Sequence, residues 1–170
     1  QSATKGNVLL RKRQYQLSDD ESWSLHVARL MIGGKIQNYR NILKRYIRDY
    51  GENENINRAV QVLEHAKREA LATQDKTTLI GYEGMASNAY FEVLPVLILN
   101  QKADFPFHGR NRRPPKDAVN AMLSFAYTLI ANDTSAALET VGLDPYVGFL
   151  HTLRPGRTSL ALDMMEELRA

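Results

Sequence analysis

The chain has 170 residues and an apolar share of 44%, which predicts one globular domain with a real core and disfavours disorder. Because it has no cysteine, disulfides and thiolate metal sites are excluded, and any metal must bind His, Asp, Glu or backbone oxygen. The net charge of +3 and the pI of about 9.2 permit nucleic-acid binding without requiring it.

We expect neither a membrane span nor a signal peptide, because no apolar run is long enough to cross a bilayer and the start lacks a signal pattern. A reducing, cytoplasmic compartment fits the lack of cysteine. The chain begins at Gln1 rather than Met and stops at Ala170 within a helical pattern. We therefore expect it to be a fragment of something longer.

The first predicted element is a lead-in or linker, residues 1–17, whose mixed pattern suggests an extended entry segment. Ser18 and Glu21 then match a capping box, in which both side chains satisfy backbone N–H groups at a helix start. A long helix is expected to follow and to end at Gly51. Gly33 and Gly34 within it predict a kink or a close contact.

Helical spacing of apolar residues and short breaks predict the rest of the chain. The predicted helices run from about Asn55 to Thr73, from Thr77 or Thr78 to Asn100, from Lys116 to Ala131, from a cap at Asn132-Asp133-Thr134 to Gly142, and from Thr158 or Ser159 to the end. Strands are hard to place, so the predicted fold class is all-α, a multi-helix domain.

Two carboxylates and a histidine near the C-terminus are candidate ligands. Asp163 and Glu166 share a helix face, which is either a solvated stripe or a buried ligand set, and helix geometry alone favours the stripe. His151 ends the apolar run 146–150 and, taken alone, is better interpreted as a core histidine. Arg154 and Arg157 lie between them, and together the five residues resemble a metal-plus-phosphate site.

Glu83 is the third candidate ligand, because Gly81 and Gly84 flank it inside a predicted helix. Each glycine costs about 1 kcal/mol relative to alanine in a helix. Such a pair indicates that something approaches closely, either a second helix or DNA or a metal beside a ligand.

Basic residues favour a phosphate-facing surface. Five cations lie between residues 35 and 48, with the acid Asp49 just beyond, although a charge run is usually only a solvated face. Other basic residues lie at the start of the fourth predicted helix or just before it, or in the turn at residues 154–157. The candidate DNA-binding residues are Arg40, Lys44, Arg110, Arg112, Arg113, Lys116, Arg154 and Arg157.

Four stretches, in this order and spacing, resemble the CRISPR adaptation integrase-endonuclease (Cas1) family, most of all its type I-C branch. They are Gly81-Tyr-Glu-Gly84, Arg110 to Ala121, Gly142 to His151, and Arg154-Pro-Gly-Arg157 with the run to Glu167. That family has an N-terminal β domain and a C-terminal helical catalytic domain. The resemblance implies that residues 18–170 are the helical catalytic domain, truncated, and that the β domain is absent from this chain.

The resemblance also implies a site and an activity. Glu83, His151 and Glu166 fall on the family's catalytic metal ligands, and Asp163 falls on a further acidic position near the metal, which is Mn²⁺ or Mg²⁺. The arginines at 110, 112 and 113 match a basic stretch along the DNA path. The implied activity inserts short foreign DNA into a CRISPR array by attack of a 3′-hydroxyl on a phosphodiester, or hydrolyses DNA with water.

The implied partners are double-stranded DNA with single-stranded ends and the CRISPR repeat. They further include a second copy in a homodimer of the full-length form, a small companion protein (Cas2) and a nuclease that trims the incoming DNA (Cas4), all in the prokaryotic cytoplasm. A second class of function is the alternative, that of a non-catalytic helical DNA-binding or scaffold module. A helical di-metal oxidase is set aside, because no Glu-x-x-His motif occurs.

Overall fold

The computed structural model describes residues 7–111 and 113–170. The elements are α1 (Val8–Asp19), α2 (Glu21–Tyr50), α3 (Glu54–Ala72), α4 (Lys76–Leu97), α5 (Ala118–Thr140), α6 (Ser159–Met164) and a 3-10 turn (Met165–Leu168). No strand occurs among these described residues, which confirms the all-α prediction. Every helix in the same part of the chain is too short or too polar to cross a bilayer.

Short polar side chains determine where the helices begin. The caps of α1 to α5 are Asn7, Asp20, Asn53, Asp75 and Asp117, each of which accepts a hydrogen bond from a backbone N–H of the first turn. A helix N-terminus leaves such N–H groups without partners inside the helix, so these acceptors stabilise the start.

The N-terminal segment differs from the prediction. An extended lead-in is wrong for residues 8–17, because Asn7 caps α1 there. The capping box is also wrong, since Asp20 caps α2 and Ser18 lies inside α1, where its hydroxyl donates to the Tyr15 carbonyl. The Gln14 amide donates to two carbonyls of the loop at 144–147, at 2.8 Å each, and so fixes α1 on the later chain. The domain boundary at residue 18 stays a prediction.

The main core lies between α2, α3 and α4. Leu63, Ala66 and Ala70 of α3 are fully buried, as their helical spacing predicts, whereas Val60 is only half-buried. A smaller apolar cluster then joins α5 and α6 to α2; its members include Met31, Leu138, Leu160 and Ala161. The C-terminal segments are therefore packed against the middle of α2.

The predicted break at residues 132–134 is wrong, because α5 runs without interruption through them to Thr140. Asn132 and Asp133 are exposed, and a helix tolerates such residues at a solvated position at a cost of a fraction of 1 kcal/mol, up to about 0.7. The last helix begins at Ser159 as predicted, but its α-helical part ends at Met164 and continues as the 3-10 turn.

The paired glycines of α2 are a close contact, one of the two predicted possibilities. A Cβ on Gly33 would lie 2.8 Å from the Leu71 side chain of α3, and one on Gly34 would lie 2.9 Å from the Glu167 carboxylate. Because neither glycine has a side chain, α3 and the 3-10 turn both lie directly on α2. This close approach brings the carboxylates of the C-terminal segment to the α2 surface.

Candidate active site

Separate segments of the chain line one pocket of about 280 Å³. Its polar lining residues are Glu83 of α4, His151, Thr152 and Arg157 of the loop before α6, Glu166 of the 3-10 turn, and Arg169. Ile32, Ile80 and Leu150 form its apolar wall. The fold thus brings together the three side chains that the sequence singled out as ligands, although they lie up to 83 positions apart in the chain.

A buried carboxylate fixes the orientation of His151. The Nδ1 atom of His151 lies 2.6 Å from Oδ1 of Asp163, which also accepts from the His151 backbone N–H at 2.9 Å. The other oxygen of Asp163 accepts from the backbone N–H groups of Phe149 and Leu150, at 2.6 and 2.9 Å. If Nδ1 carries the proton, Nε2 presents a lone pair to the pocket, and it lies 3.9 Å from Oε1 of Glu166.

The resemblance placed Asp163 at an acidic position near the metal, whereas the structure shows its carboxylate in contact with the loop that carries His151. The residue is fully buried, and both oxygens are occupied by donors of the 149–151 loop. This geometry favours a role in positioning His151 over direct binding of a metal. The solvated-stripe interpretation of Asp163 and Glu166 is wrong, because both carboxylates are buried and both lie beside the His151 ring.

The loop reaches Asp163 because residue 148 is glycine. A Cβ at Gly148 would lie 2.5 Å from Oδ2 of Asp163, 2.8 Å from the Ser159 carbonyl carbon and 2.9 Å from the Leu160 nitrogen. Real Cβ atoms do not approach backbone so closely. The glycine is therefore required for the loop to donate three backbone N–H groups to the carboxylate.

Lys35 of α2 lies between the two other carboxylates. Its side chain is 3% exposed, and its ammonium forms an ion pair with Glu83 and a 2.7 Å hydrogen bond with Oε2 of Glu166. Glu83 also accepts from the Ser87 hydroxyl at 2.8 Å. Burial raises the pKa of the Glu83 carboxyl, but the charge and hydrogen bond of Lys35, the Ser87 hydrogen bond and the charge of Arg169 together outweigh it, so the pKa lies below its usual range. Glu83 is therefore ionised at neutral pH.

The second oxygen of Glu166 has its own cation. Nη1 of Arg169 lies 2.6 Å from Oε1 of Glu166. The Tyr127 ring lies against the guanidinium groups of Arg169 and Arg110, at 5.4 and 5.5 Å from the ring centroid. The Tyr127 hydroxyl donates to the Arg169 carbonyl at 3.0 Å. Glu166 is thus held between two positive charges.

Sequence reasoning did not assign Lys35, Ser87 or Arg169 to the site. For Lys35 a signal existed, because it shares the α2 face of Ile32 and Tyr39, both fully buried. A lysine on an apolar stripe must find a carboxylate partner when it is buried. The sequence does not reveal which carboxylate, since the partners lie 48 and 131 positions away.

The donor set suits a hard divalent cation. One imidazole and two carboxylates, without a thiolate, are ligands for Mn²⁺ or Mg²⁺, and the Lys35 ammonium is a stand-in cation between Glu83 and Glu166. In the arrangement described for residues 7–111 and 113–170, no three His, Asp or Glu side chains are yet placed to hold a metal together. Both glutamates converge on Lys35 instead.

The glycines beside Glu83 face open space. A Cβ at Gly81 or Gly84 would meet nothing within 4 Å. The interpretation of this pair as a helix–helix contact is therefore wrong. Space for a ligand beside Glu83 is the alternative that stays.

The predicted DNA-binding residues fall into different environments. Arg157 lines the pocket itself. Arg110 and Arg113 line an adjacent groove of about 290 Å³, together with Tyr127 and Arg169. Arg110 also donates to Oδ1 of the buried Asn120 at 2.8 Å, which fixes the chain at Arg110 on α5.

The remaining basic residues are mostly on the surface. Lys44, Lys116 and Arg154 are exposed. Arg40 forms an ion pair with Glu64 of α3, which favours a structural role, and Tyr39 beside it is buried and stacked on Tyr90 at 4.0 Å. Arg112 lies outside the described residues. DNA contact by these eight basic residues stays a prediction.

Comparison with known proteins identifies relatives along the whole chain. The model of a family described as "CRISPR associated protein Cas1" matches residues 1–170. A CRISPR-associated endonuclease Cas1 of Leptospira interrogans is 44% identical over 95% of this chain and 65% of its own length. A Cas1 endonuclease of Chlorobaculum tepidum is 46% identical over 100% of this chain and 50% of its own.

Three further matches extend this set. A fusion of the exonuclease Cas4 with the endonuclease Cas1 in Geobacter sulfurreducens is 41% identical over 96% of this chain and 30% of its own length. Among solved structures, a Cas6-RT-Cas1–Cas2 complex matches with a TM-score of 0.80 and 27% identity, over 96% of this chain and 17% of that chain. A casposase bound to integration product matches with a TM-score of 0.76 and 26% identity, over 95% of this chain and 46% of that chain. This chain thus spans between half and two thirds of the two Cas1 relatives first named.

Proposed function

This chain belongs to the Cas1 family of CRISPR-associated proteins, and we propose that its pocket is a metal-dependent DNA nuclease and integrase site. Glu83, His151 and Glu166 are the proposed metal ligands. The observation that carries the proposal is their convergence in one pocket, with Nε2 of His151 directed toward Glu166. The endonuclease names of the relatives and the integration product bound by the casposase support the reaction class.

A bound Mn²⁺ or Mg²⁺ supplies charge neutralisation for the phosphoryl oxygens and orients the attacking oxygen. The residues of the chain do the rest. Glu83 and Glu166 provide carboxylate oxygens, and His151 provides Nε2. Asp163 holds the imidazole ring of His151 in place through Nδ1. Arg157, which lines the same pocket, braces the phosphate. The nucleophile is water in hydrolysis and the 3′-hydroxyl of a short DNA in integration.

The proposed substrates are double-stranded DNA with single-stranded ends and the CRISPR repeat. The proposed partners are Cas2 and Cas4, because one structural neighbour is part of a complex with Cas2 and one relative is fused to Cas4. A homodimer belongs to the same proposal. Because this chain spans only part of its relatives, these statements concern the activity of the whole protein.

One observation favours a second candidate function, a helical DNA-binding or scaffold module without catalysis. The Lys35 ammonium occupies the space between the two glutamates that a metal would share. If nothing displaces it, the pocket binds no ion. The chain would then contribute only a basic helical surface.

A DNA-processing assay distinguishes the two functions. Labelled duplexes with single-stranded ends are incubated with the protein in Mn²⁺, in Mg²⁺ and in EDTA, and products are resolved by size. We expect cleaved or joined strands with either metal and none in EDTA. The scaffold interpretation predicts DNA binding with unchanged strands in all three buffers, and that outcome would contradict the proposed function.

Asp163→Asn tests whether Asp163 acts through His151. The amide keeps the shape but offers one acceptor instead of two, so His151 is no longer held, and Mn²⁺ affinity falls by about 10–100-fold. Isothermal titration with Mn²⁺ measures the change, and circular dichroism checks that the variant is folded. The matched control is Asp133→Asn on the exposed face of α5. Equal Mn²⁺ affinity in a folded Asp163→Asn protein would remove the positioning role.

A further inference from the structure

Lys35 lies between the two glutamates that line the pocket. Its ammonium is shared by Glu83 and Glu166, and it is almost completely buried. We infer that Lys35 is the counter-ion of the metal-free pocket and that a divalent cation binds by displacing its ammonium from the carboxylates. This inference rests on the proposed metal site and adds a competition between an internal and an external cation.

The first argument is electrostatic. Because both carboxylates accept a hydrogen bond from one nitrogen, the accepting oxygens lie within about 6 Å of each other. Two negative charges at that separation, one buried on Glu166 and one partly buried on Glu83, repel strongly unless a cation compensates them. Arg169 compensates Glu166 on its other oxygen. Only Lys35 contacts both glutamates among the cations described for this pocket.

The second argument concerns the kind of cation. An ammonium is a compact charge on four flexible carbons, whereas a guanidinium is a rigid, planar fork. Lys35 can therefore withdraw without unfolding α2. Its ammonium also lies 5.7 Å from the centroid of the Tyr39 ring, a cation–π contact that does not involve the carboxylates.

The third argument is geometric. His151 Nε2 lies on the Glu166 side of the pocket, 3.9 Å from Oε1. A metal that binds His151 together with Glu166 must use a Glu166 oxygen that is now bound to Lys35 or Arg169, whereas the Lys35 and Ser87 contacts of Glu83 both fall on Oε1. A divalent ion that binds these three side chains lies close to the ammonium, and the two positive charges repel each other. The ion therefore competes with the Lys35 ammonium for the two carboxylates.

Two opposite effects follow for a protein that lacks the Lys35 charge. Without metal, the glutamates lose their common counter-ion, and the folded state is less stable. With metal, the ion no longer has to break the hydrogen bonds of the ammonium, and it binds more tightly. A ligand that binds only the folded state raises stability in proportion to the logarithm of its concentration over Kd, so the variant depends more strongly on metal.

The experiment compares Lys35→Met with the wild-type chain. Mn²⁺ affinity is measured by titration calorimetry, and melting temperature is measured in EDTA and in Mn²⁺. We expect a lower melting temperature in EDTA, a larger rise on adding Mn²⁺, and a Mn²⁺ Kd about tenfold lower, the size of one charged hydrogen bond. The matched control is Lys12→Met, an exposed lysine of α1, which should leave all three quantities unchanged.

A second variant covers the case in which Lys35→Met does not fold. Lys35→Gln is neutral but keeps two N–H donors for the glutamates, and it too should bind Mn²⁺ more tightly than wild type. If wild type binds Mn²⁺ and the folded variants bind it equally or more weakly, Lys35 does not compete with the metal and the inference is overturned. If neither wild type nor variants bind Mn²⁺, the proposed metal site fails and the inference with it. If the variants bind Mn²⁺ and wild type does not, the Lys35 ammonium excludes the metal from the wild-type pocket, which supports the inference.

Discussion

His151→Ala, Glu83→Gln and Glu166→Gln each lower the rate of metal-dependent DNA cleavage by about 10³-fold, or about 4 kcal/mol of transition-state stabilisation. The reason is that each change removes one of the three proposed metal ligands of the pocket. The glutamine variants keep the shape of the side chain and remove its charge. The measurement is the initial rate of cleavage of end-labelled DNA at saturating Mn²⁺.

The control for this prediction is Glu92→Gln, an exposed glutamate on the same helix as Glu83. It should cleave DNA at the wild-type rate. DNA affinity, measured by fluorescence anisotropy in EDTA, should be largely unchanged in all the variants, because the loss lies in the chemical step. Near-normal cleavage by two of the three ligand variants would show that the site is assigned wrongly.

Gly148→Ala lowers the free energy of unfolding by about 3 kcal/mol, at the upper end for overpacked sites. The added Cβ would lie 2.8 Å from the Ser159 carbonyl carbon and 2.9 Å from the Leu160 nitrogen, and backbone cannot move aside as a flexible side chain can. The 149–151 loop must then withdraw from Asp163 and leave its buried carboxylate short of donors. Urea unfolding followed by circular dichroism measures the loss.

Gly81→Ala is the matched substitution. Gly81 lies in α4, is exposed, and has nothing within 4 Å of an added Cβ. Its replacement by alanine should raise the free energy of unfolding by about 0.5–1 kcal/mol through helix propensity and the unfolded chain. An unfolding free energy of Gly148→Ala within error of wild type would contradict the packing described for the loop.

Much of the fold follows from local patterns. The apolar spacing of α3 predicts the residues that are buried, and Gly51 marks the end of α2, where its φ is +92°. Local patterns fail where capping residues occur inside a helix, as at Asn132 and Asp133 of α5. Packing at both ends of α5, through Val119 and Leu138, outweighs the weak preference of those residues for a helix start.

The convergence of the candidate residues could be predicted from the sequence, but the contacts between them and their neighbours could not. Motif order and family resemblance singled out Glu83, His151 and Glu166, which do share a pocket. The partners of Lys35 depend on how α2, α4 and the 3-10 turn pack, and local sequence does not encode that packing. The role of Asp163 depends on the contact of its buried carboxylate with the 149–151 loop, which lies 12 to 14 positions earlier in the chain.

The most direct test of the central claim is anomalous diffraction from a crystal soaked in Mn²⁺. We predict one strong peak in the pocket, within about 2.0–2.4 Å of Nε2 of His151 and of carboxylate oxygens of Glu83 and Glu166, with the Lys35 ammonium moved away from it. The contradicting result is a pocket without a peak, in which Lys35 still contacts both glutamates at saturating Mn²⁺.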